Sequence, residues 1–521
     1  MSPSTDPLPL ALQAAQAGRL DDAARQCETA LAANPDRVEA LKILSGVRFM
    51  QGRLGDALAT IERAAAVAPS DPQIHANMGS ILTRLARSDD AISSYRRAID
   101  LAPNYAEAHY NLGATYTGLG RDEEALACYR RVLDLAPGHP KALVNCGSAL
   151  SALGRNDEAL AVYDQALASD PGNVEAETNR GTALHRMGRS DEAMHHYDQA
   201  LNRRPEDAVA RWNRGLIALY KGDFARGWVD YEARWQKPDF APFRRDFPQP
   251  LWRGESDIAG KTILIYSEQG LGDTIHFCRY AKLLADRGAR VILEVQPPLK
   301  PLLKTLAGAS AVYAAGEALP PFDLHCPIMS LPFAFRTDLA TIPATVPYLA
   351  PSPEKLALWR GRLGPRVKPR IGVAWTGNPD QQADRIRSMT LASLAPLLGK
   401  PGFEFHALQK DIRDTDRATL AALPQLAVHG DDLHDFDDTA ALTAEMDLVI
   451  SVCTSVIHLA GALARPGWVM LPMPPDWRWL EGRDDSPWYP TLRLFRSTKP
   501  ASWNDVVGRV CAALDETRLA G

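Results

Sequence analysis

One spacing governs the chain from its N-terminus to Trp235. Pro35, Pro69, Pro103, Pro137, Pro171 and Pro205 are each 34 apart, and so are Gly18, Gly52, Gly120, Gly154, Gly188 and Gly222 once Ala86 fills the one gap. Ala23, Ala57, Ala91, Ala125, Ala159 and Ala193 follow the same spacing. A period of this length calls for a stack of like supersecondary units, each covering its neighbour's apolar face, rather than one globular core. The clearest copy is AEAHYNLGATYTGLGRDEEALACYRRVLDLAP, residues 106–137, and it holds two helical apolar patterns. Its central glycine ends the first helix, because positive φ costs glycine little. Asp122, Glu123 and Glu124 open the second helix, where the helix dipole favours negative charge. The closing proline has no N–H and stops the helix. Small residues such as Gly113 and Ala125 let the paired helices approach closely.

These features resemble the tetratricopeptide repeat family: six full copies and an altered seventh ending near Trp235. The resemblance implies an all-α superhelix over residues 1–236 with a concave groove that holds a protein. Asn77, Asn111, Asn145, Asn179 and Asn213 are also 34 apart, on the first helix of each pair. A primary amide is both donor and acceptor, so a column of them matches the backbone of an extended peptide. The column resembles the asparagine ladder of the O-linked N-acetylglucosamine transferases. Asparagine is also common at this position in repeats that bind other things, and both readings stand.

The net charge is -5, and neither half of the chain is basic, which argues against a nucleic-acid partner. Seven scattered cysteines with no CxxC pair fit reduced thiols in a cytoplasmic protein. The N-terminal MSPSTDPLPL lacks the pattern of a signal peptide, and no apolar run is long enough to span a membrane. Trp212, Trp228, Trp235 and Trp252 cluster where the repeats end. The proline-rich, aromatic stretch 237–260 reads as an ordered strap rather than a flexible linker.

From residue 261 the pattern changes. Apolar runs at 261–266, 290–295, 370–375, 403–408, 447–452 and 467–472 read as buried parallel strands, alternating with helices at 273–287, 389–400 and 455–465. This predicts two Rossmann-like α/β lobes, 261–350 and 366–521, with the break inside the proline-rich span 343–369. Ligands in such sheets sit beyond the carboxyl ends of the strands. Three strand ends stand out. YSEQGLGDTIHF carries Gly270, Gly272, Asp273 and His276, with helix capping as an alternative role for Asp273. WTGNPDQQADRIRS offers Arg385 and Arg387, planar cations suited to a diphosphate. SVCTSVIHLAGAL puts Thr454 and Ser455 at a helix N-terminus, where free N–H groups bind anions, with His458 one turn on.

Together the loops resemble two-lobed GT-B glycosyltransferases of the heptosyltransferase type, related to the O-linked N-acetylglucosamine transferases, and especially bacterial flagellin glycosyltransferases fused to tetratricopeptide repeats. The resemblance rests on GLGDTIHF, on WTGNP with RIRS, and on DLVISVCTSVIHLAGALARP and PDWRWLEGRDDSPWYPTLRLFR. It implies that Asp273 is the general base that takes the acceptor hydroxyl's proton, with Glu268 and His276 in reserve. Gly270 and Gly272 would border the donor and turn the chain so that Asp273 faces the acceptor. Trp375, Gly377 and Asn378 would frame the nucleotide-sugar. Arg385, Arg387 and Lys410 would meet its diphosphate, Gln409 would join them in binding the donor, and Thr454, Ser455 and His458 would sit at its phosphates. No metal or cofactor is expected; in DFD (435–437) we read Asp437 or Asp438 as a helix N-cap. Two positions depart from the pattern: Cys453 stands where most relatives have an aspartate that contacts the donor sugar, and Ser455 where they have a smaller residue.

The expected function is transfer of a sugar from a nucleotide-sugar to Ser or Thr hydroxyls of a protein held by the repeats, with flagellin as the acceptor that the resemblance implies. The alternatives are a repeat adaptor or export chaperone with a degenerate transferase domain, and a transferase acting on small molecules or lipopolysaccharide.

Overall fold

The computed structural model describes residues 6–379, 384–499 and 502–517. The chain divides into two compact units, Met1–Leu184 and His185–Gly521. Fourteen α-helices lie between Pro7 and Tyr231, and the eleventh, Val174–Arg186, runs from the first unit into the second.

In the first unit the helices form antiparallel hairpins. Gly18, Gly52, Gly120 and Gly154 turn each hairpin with φ between 68° and 77°, and Ala86 is forced to 58° at the same position. The second helix of each hairpin stops shortly before the periodic proline. Ala136, for example, is extended at φ −146°, as a residue preceding proline prefers. The inner glycines have a different task. A Cβ on Gly79, Gly113 or Gly147 would come within 2.6, 2.8 or 2.5 Å of the ring of Tyr95, Tyr129 or Tyr163. These tyrosines keep the same spacing as the prolines and are buried. Three consecutive repeats are therefore keyed by an aromatic ring laid across a bare backbone.

The second unit begins with the helices Ser190–Arg203, Ala208–Tyr220 and Phe224–Tyr231, followed by 3-10 turns at Glu232–Gln236 and Pro238–Phe243. The aromatic join is packed. Trp212 lies 4.5 Å from Tyr231, Trp228 donates to the Thr337 carbonyl at 2.8 Å, and buried Trp252 donates to the Ser256 carbonyl. Arg234, fully buried, clasps Glu268 through two bonds of 2.9 Å.

Two wholly parallel sheets follow. The first holds β1 (Thr262–Tyr266), β2 (Arg290–Val295), β3 (Ala309–Ala314) and β4 (Leu324–Pro327) in the order β3-β2-β1-β4. The second holds β5 (Arg370–Ala374), β6 (Glu404–Ala407), β7 (Leu426–Val428), β8 (Leu448–Val452), β9 (Gly467–Leu471) and β10 (Leu492–Arg496) in the order β10-β9-β8-β5-β6-β7. The winding reverses beside β1 and beside β5, which opens a crevice at the carboxyl end of each sheet.

All six apolar runs become strands. β3, β4, β7 and β10 were not anticipated: β3 is a half-buried edge strand, β4 and β7 are short, and β10 interleaves arginines with apolar residues. The single helix expected over 273–287 is broken into Leu271–Phe277 and Tyr280–Asp286. At the break the buried Arg279 Nε donates to the His276 carbonyl at 2.8 Å.

Candidate functional site

The carboxyl ends of both sheets line one cleft of about 820 Å³. Gln269 to Asp273 come from the turn after β1, Gln296 and Pro298 from the end of β2, Thr376 to Pro379 from β5, Leu408 to Arg413 from β6, and Cys453 to Val456 from β8. His458, Asp476 and Arg478 complete the wall that β8 and β9 supply. Two helices meet there. Leu271–Phe277 packs against Ser455–Ala462 so closely that a Cβ on Gly272 would lie 3.1 Å from His458 Cδ2 and 3.3 Å from Ser455 Cα.

That contact revises the reading of GLGD. Neither glycine is left-handed: Gly270 is the N-cap at φ −75° and ψ 164°, and Gly272 is a bare surface for the facing helix. Asp273 is the third residue of the helix rather than its first. Its Oδ2 accepts the Gly270 N–H at 2.9 Å, and its Oδ1 accepts from Arg478 Nη2 at 2.6 Å. The capping role is thus real and coexists with a place on the cleft wall.

The two reserve acids and bases lie elsewhere. Glu268 is buried, accepting from Arg234 and the Met329 N–H, outside the cleft lining. His276 is fully buried behind the cleft, with Nδ1 at 3.0 Å from the Tyr489 hydroxyl. Burial, with Arg279 and His458 adding repulsion, holds it well below the usual histidine range, so it stays neutral.

The expected donor residues divide. Gly377, Asn378, Arg387, Gln409, Lys410, Thr454, Ser455 and His458 all line the cleft. Trp375 does not: its indole is buried and donates to Asp416 at 2.8 Å, so it forms a floor under the loop. Arg385 is exposed and away from the cleft lining. Gln409 accepts the Trp375 and Thr376 N–H groups and donates to Thr376 and the Asp411 carbonyl, which fixes the loop after β5. Gly377 is bare because a Cβ there would meet Arg387 Nη2 at 2.7 Å. Lys410 is exposed, with no ion-pair partner among the described residues. Thr454 caps the helix Ser455–Ala462 without a side-chain bond to it, and Thr454, Ser455 and Val456 line the cleft. Cys453 receives the Trp479 indole N–H at 3.1 Å, and burial pushes its thiol up to about 12, so the thiol is neutral at pH 7.

The acid cluster at 435–438 corrects the expected capping. Asp435 is the N-cap, accepting from the Asp437 and Asp438 N–H groups. Asp437 binds the Ser352 N–H and hydroxyl, and Asp438 binds Lys355 and the Trp359 indole. Arg478 and Asp476 were missed as individual residues. Their sequence signal is the charged pair within PDWRWL, but the partner of Arg478, Asp273, lies 205 positions earlier in the chain.

The asparagine column sits half-buried on the first helix of its hairpins. In the first unit, Asn145 donates to the Tyr110 hydroxyl at 3.1 Å and Asn179 to the Ser148 hydroxyl at 3.2 Å. These two amides are spent partly on joining one repeat to the next.

Residues 70–138 and 104–171 match one tetratricopeptide repeat description, and residues 14–81 and 150–216 match a second. Over 326 residues the chain is 31% identical to Protein FlbA of Caulobacter vibrioides, covering 57% of this chain and 53% of FlbA. It thus spans about half the length of that curated relative. Among solved structures, MamA is 25% identical with a TM-score of 0.30, covering 32% of this chain and 92% of MamA. YrrB, described as a TPR protein with an unusual peptide-binding site, is 21% identical with a TM-score of 0.34, covering 37% and 100%. A tetratricopeptide repeat protein from Parabacteroides merdae is 20% identical with a TM-score of 0.38, covering 44% and 91%. Among the described residues no helix is long and apolar enough to cross a membrane. The chain therefore carries an N-terminal array of tetratricopeptide repeats, an architecture that binds proteins, followed by an α/β region built on two parallel sheets.

Proposed function

We propose that the protein is a glycosyltransferase that moves a sugar from a nucleotide-sugar to a hydroxyl of a protein gripped by its repeats, with flagellin as the acceptor. One observation carries this reading: the Asp273 carboxylate and the helix N-terminus at Thr454 to Val456, whose cap makes no side-chain bond, line a single cleft. Group transfer to a hydroxyl needs both. Asp273 takes the hydroxyl proton as that oxygen attacks the anomeric carbon. The bond from that carbon to the phosphate oxygen breaks, and its electron pair leaves with the nucleotide. The N–H groups of that helix N-terminus and Lys410 stabilise that charge, an effect on the order of 3 kcal/mol per donor when donors are fixed in advance. Neutral Cys453 would then face the sugar where the resemblance predicts an acid.

The test is to incubate the purified protein with flagellin of the same genome and a panel of nucleotide-sugars, and to read intact mass. The reading predicts a mass gain equal to one or more sugar residues, abolished by Asp273→Ala with flagellin binding retained. No mass gain with any donor, while flagellin still binds, would overturn it. A repeat adaptor with an inactive transferase domain is the second reading, favoured by Cys453 and by Asp273 already being held by Arg478. Undiminished flagellin export in an Asp273→Ala, Lys410→Ala double variant would select it.

A further inference from the structure

We infer that Arg478, from the lobe built on the six-stranded sheet, is the positioning residue for the Asp273 carboxylate of the opposite lobe. The inference rests on the reading of Asp273 as the base. Arg478 is buried, and its side chain lines the same cleft. Its Nη2 reaches Asp273 Oδ1 at 2.6 Å, while Nη1 reaches both oxygens of Asp476 at 3.0 and 3.1 Å. The guanidinium cannot drift, because it lies 4.2 Å from the centre of the Trp477 ring, which is itself wedged against Trp228 at 5.3 Å. Trp228 belongs to the last repeat helix, Phe224–Tyr231. The altered seventh repeat is thus the seat of the arginine that aims the carboxylate.

The geometry is specific. Gly270 N–H fixes Oδ2 and Arg478 fixes Oδ1, so the carboxylate is held at both ends and keeps one lone pair per oxygen for a proton. The Nε–H of Arg478 is buried and without a partner among the described residues. The charged and titratable groups around Asp273 are Arg478 and Asp476 beside it, Tyr231 from the last repeat helix, His458 from the facing helix, and His276 on its own helix. The 3-10 turn Ile328–Ser330 adds only a hydroxyl. Both histidines are neutral through burial and the tyrosine is pushed far up, so Arg478 and Asp476 are the charges that act on the carboxylate.

The test is the split between kcat and KM for transfer in the full-length protein. Arg478→Gln removes the contact that holds Asp273 Oδ1, so kcat should fall at least about tenfold while the KM for donor changes less than about threefold. Arg478→Lys keeps the charge but loses the forked contact, so it should recover part of the kcat lost in Arg478→Gln without reaching the wild-type value. A wild-type kcat in either variant, or a loss carried by KM alone, overturns the assignment even though transfer itself is established. If Arg478→Gln does not fold, Arg478→Lys decides alone. A wild-type protein with no transfer overturns the base reading and this inference with it.

Discussion

Gly272→Ala tests the contact on which the cleft is built. The added methyl would sit 3.1 Å from His458 Cδ2, 3.3 Å from Ser455 Cα and 3.5 Å from Ser455 N. Carbon atoms rest at about 3.5–4.0 Å, so the overlap is roughly half an ångström. Neither neighbour yields easily. Ser455 presents backbone, and the His458 ring is stacked on Trp479 at 16° and 5.5 Å with Nδ1 held 3.1 Å from the Tyr489 hydroxyl. Overpacking of this kind costs about 1–3 kcal/mol, and with backbone as the obstacle about 2 kcal/mol is expected. Relief requires the helix Leu271–Phe277 to move away from Ser455–Ala462, which carries Asp273 with it. Misplacement by about 1 Å lowers a rate by on the order of 100-fold. Denaturant unfolding followed by tryptophan fluorescence reads the first effect, and the intact-mass transfer assay reads the second. A variant within about 0.5 kcal/mol of wild type, transferring sugar at the wild-type rate, would refute the argument that Gly272 exists for helix approach.

Four further outcomes follow from other parts of the molecule. Ala86→Gly, at φ 58°, should raise the stability of the repeats by about 0.5–1 kcal/mol in urea unfolding, since alanine is strained there and glycine is not. Gly147→Ala, whose methyl would lie 2.5 Å from the Tyr163 ring, should lower it by about 1–3 kcal/mol in the same assay. Glu268→Leu leaves fully buried Arg234 with Glu232 as its remaining counter-charge and should cost about 3 kcal/mol in urea unfolding. Acid should also destabilise the second unit: burial lowers His406 to about 4 and holds His276 and His458 well below 6.5. The unfolded chain then binds these protons first, so stability is full above about pH 6.5 and falls by up to about 1.4 kcal/mol per pH unit per histidine as pH drops toward 4. Urea midpoints across that range check the sign, and a midpoint that rises on acidification would contradict it.

Legibility followed the range of the interaction. The hairpin turns were readable because each depends on one residue type at a fixed step, and Ala86 shows that the backbone conformation persists without the glycine. Strands with continuous apolar runs were readable for the same reason. β7 and β10 were not, because a very short strand or one with alternating arginines carries no such run. Gly272 was seen but misjudged, since its purpose lies on a helix distant in the chain, Ser455–Ala462. Asp435 displaced its neighbours as the N-cap because Asp437 and Asp438 are drawn to Ser352, Lys355 and Trp359, partners that no local pattern announces. Arg478 escaped notice in the same way. Trp375 and Arg385 were read as donor residues from their place in a motif, and the fold directs one inward and the other to solvent.

What occupies the cleft tests the central claim most directly. Crystals soaked with nucleoside mono- and diphosphates should show the phosphates within hydrogen-bond reach of the backbone N–H groups at Ser455 and Val456 and of Lys410, in the cleft that Asp273 also lines. A nucleotide bound elsewhere in the second unit, or none bound at millimolar concentration by protein that still captures flagellin, would contradict it.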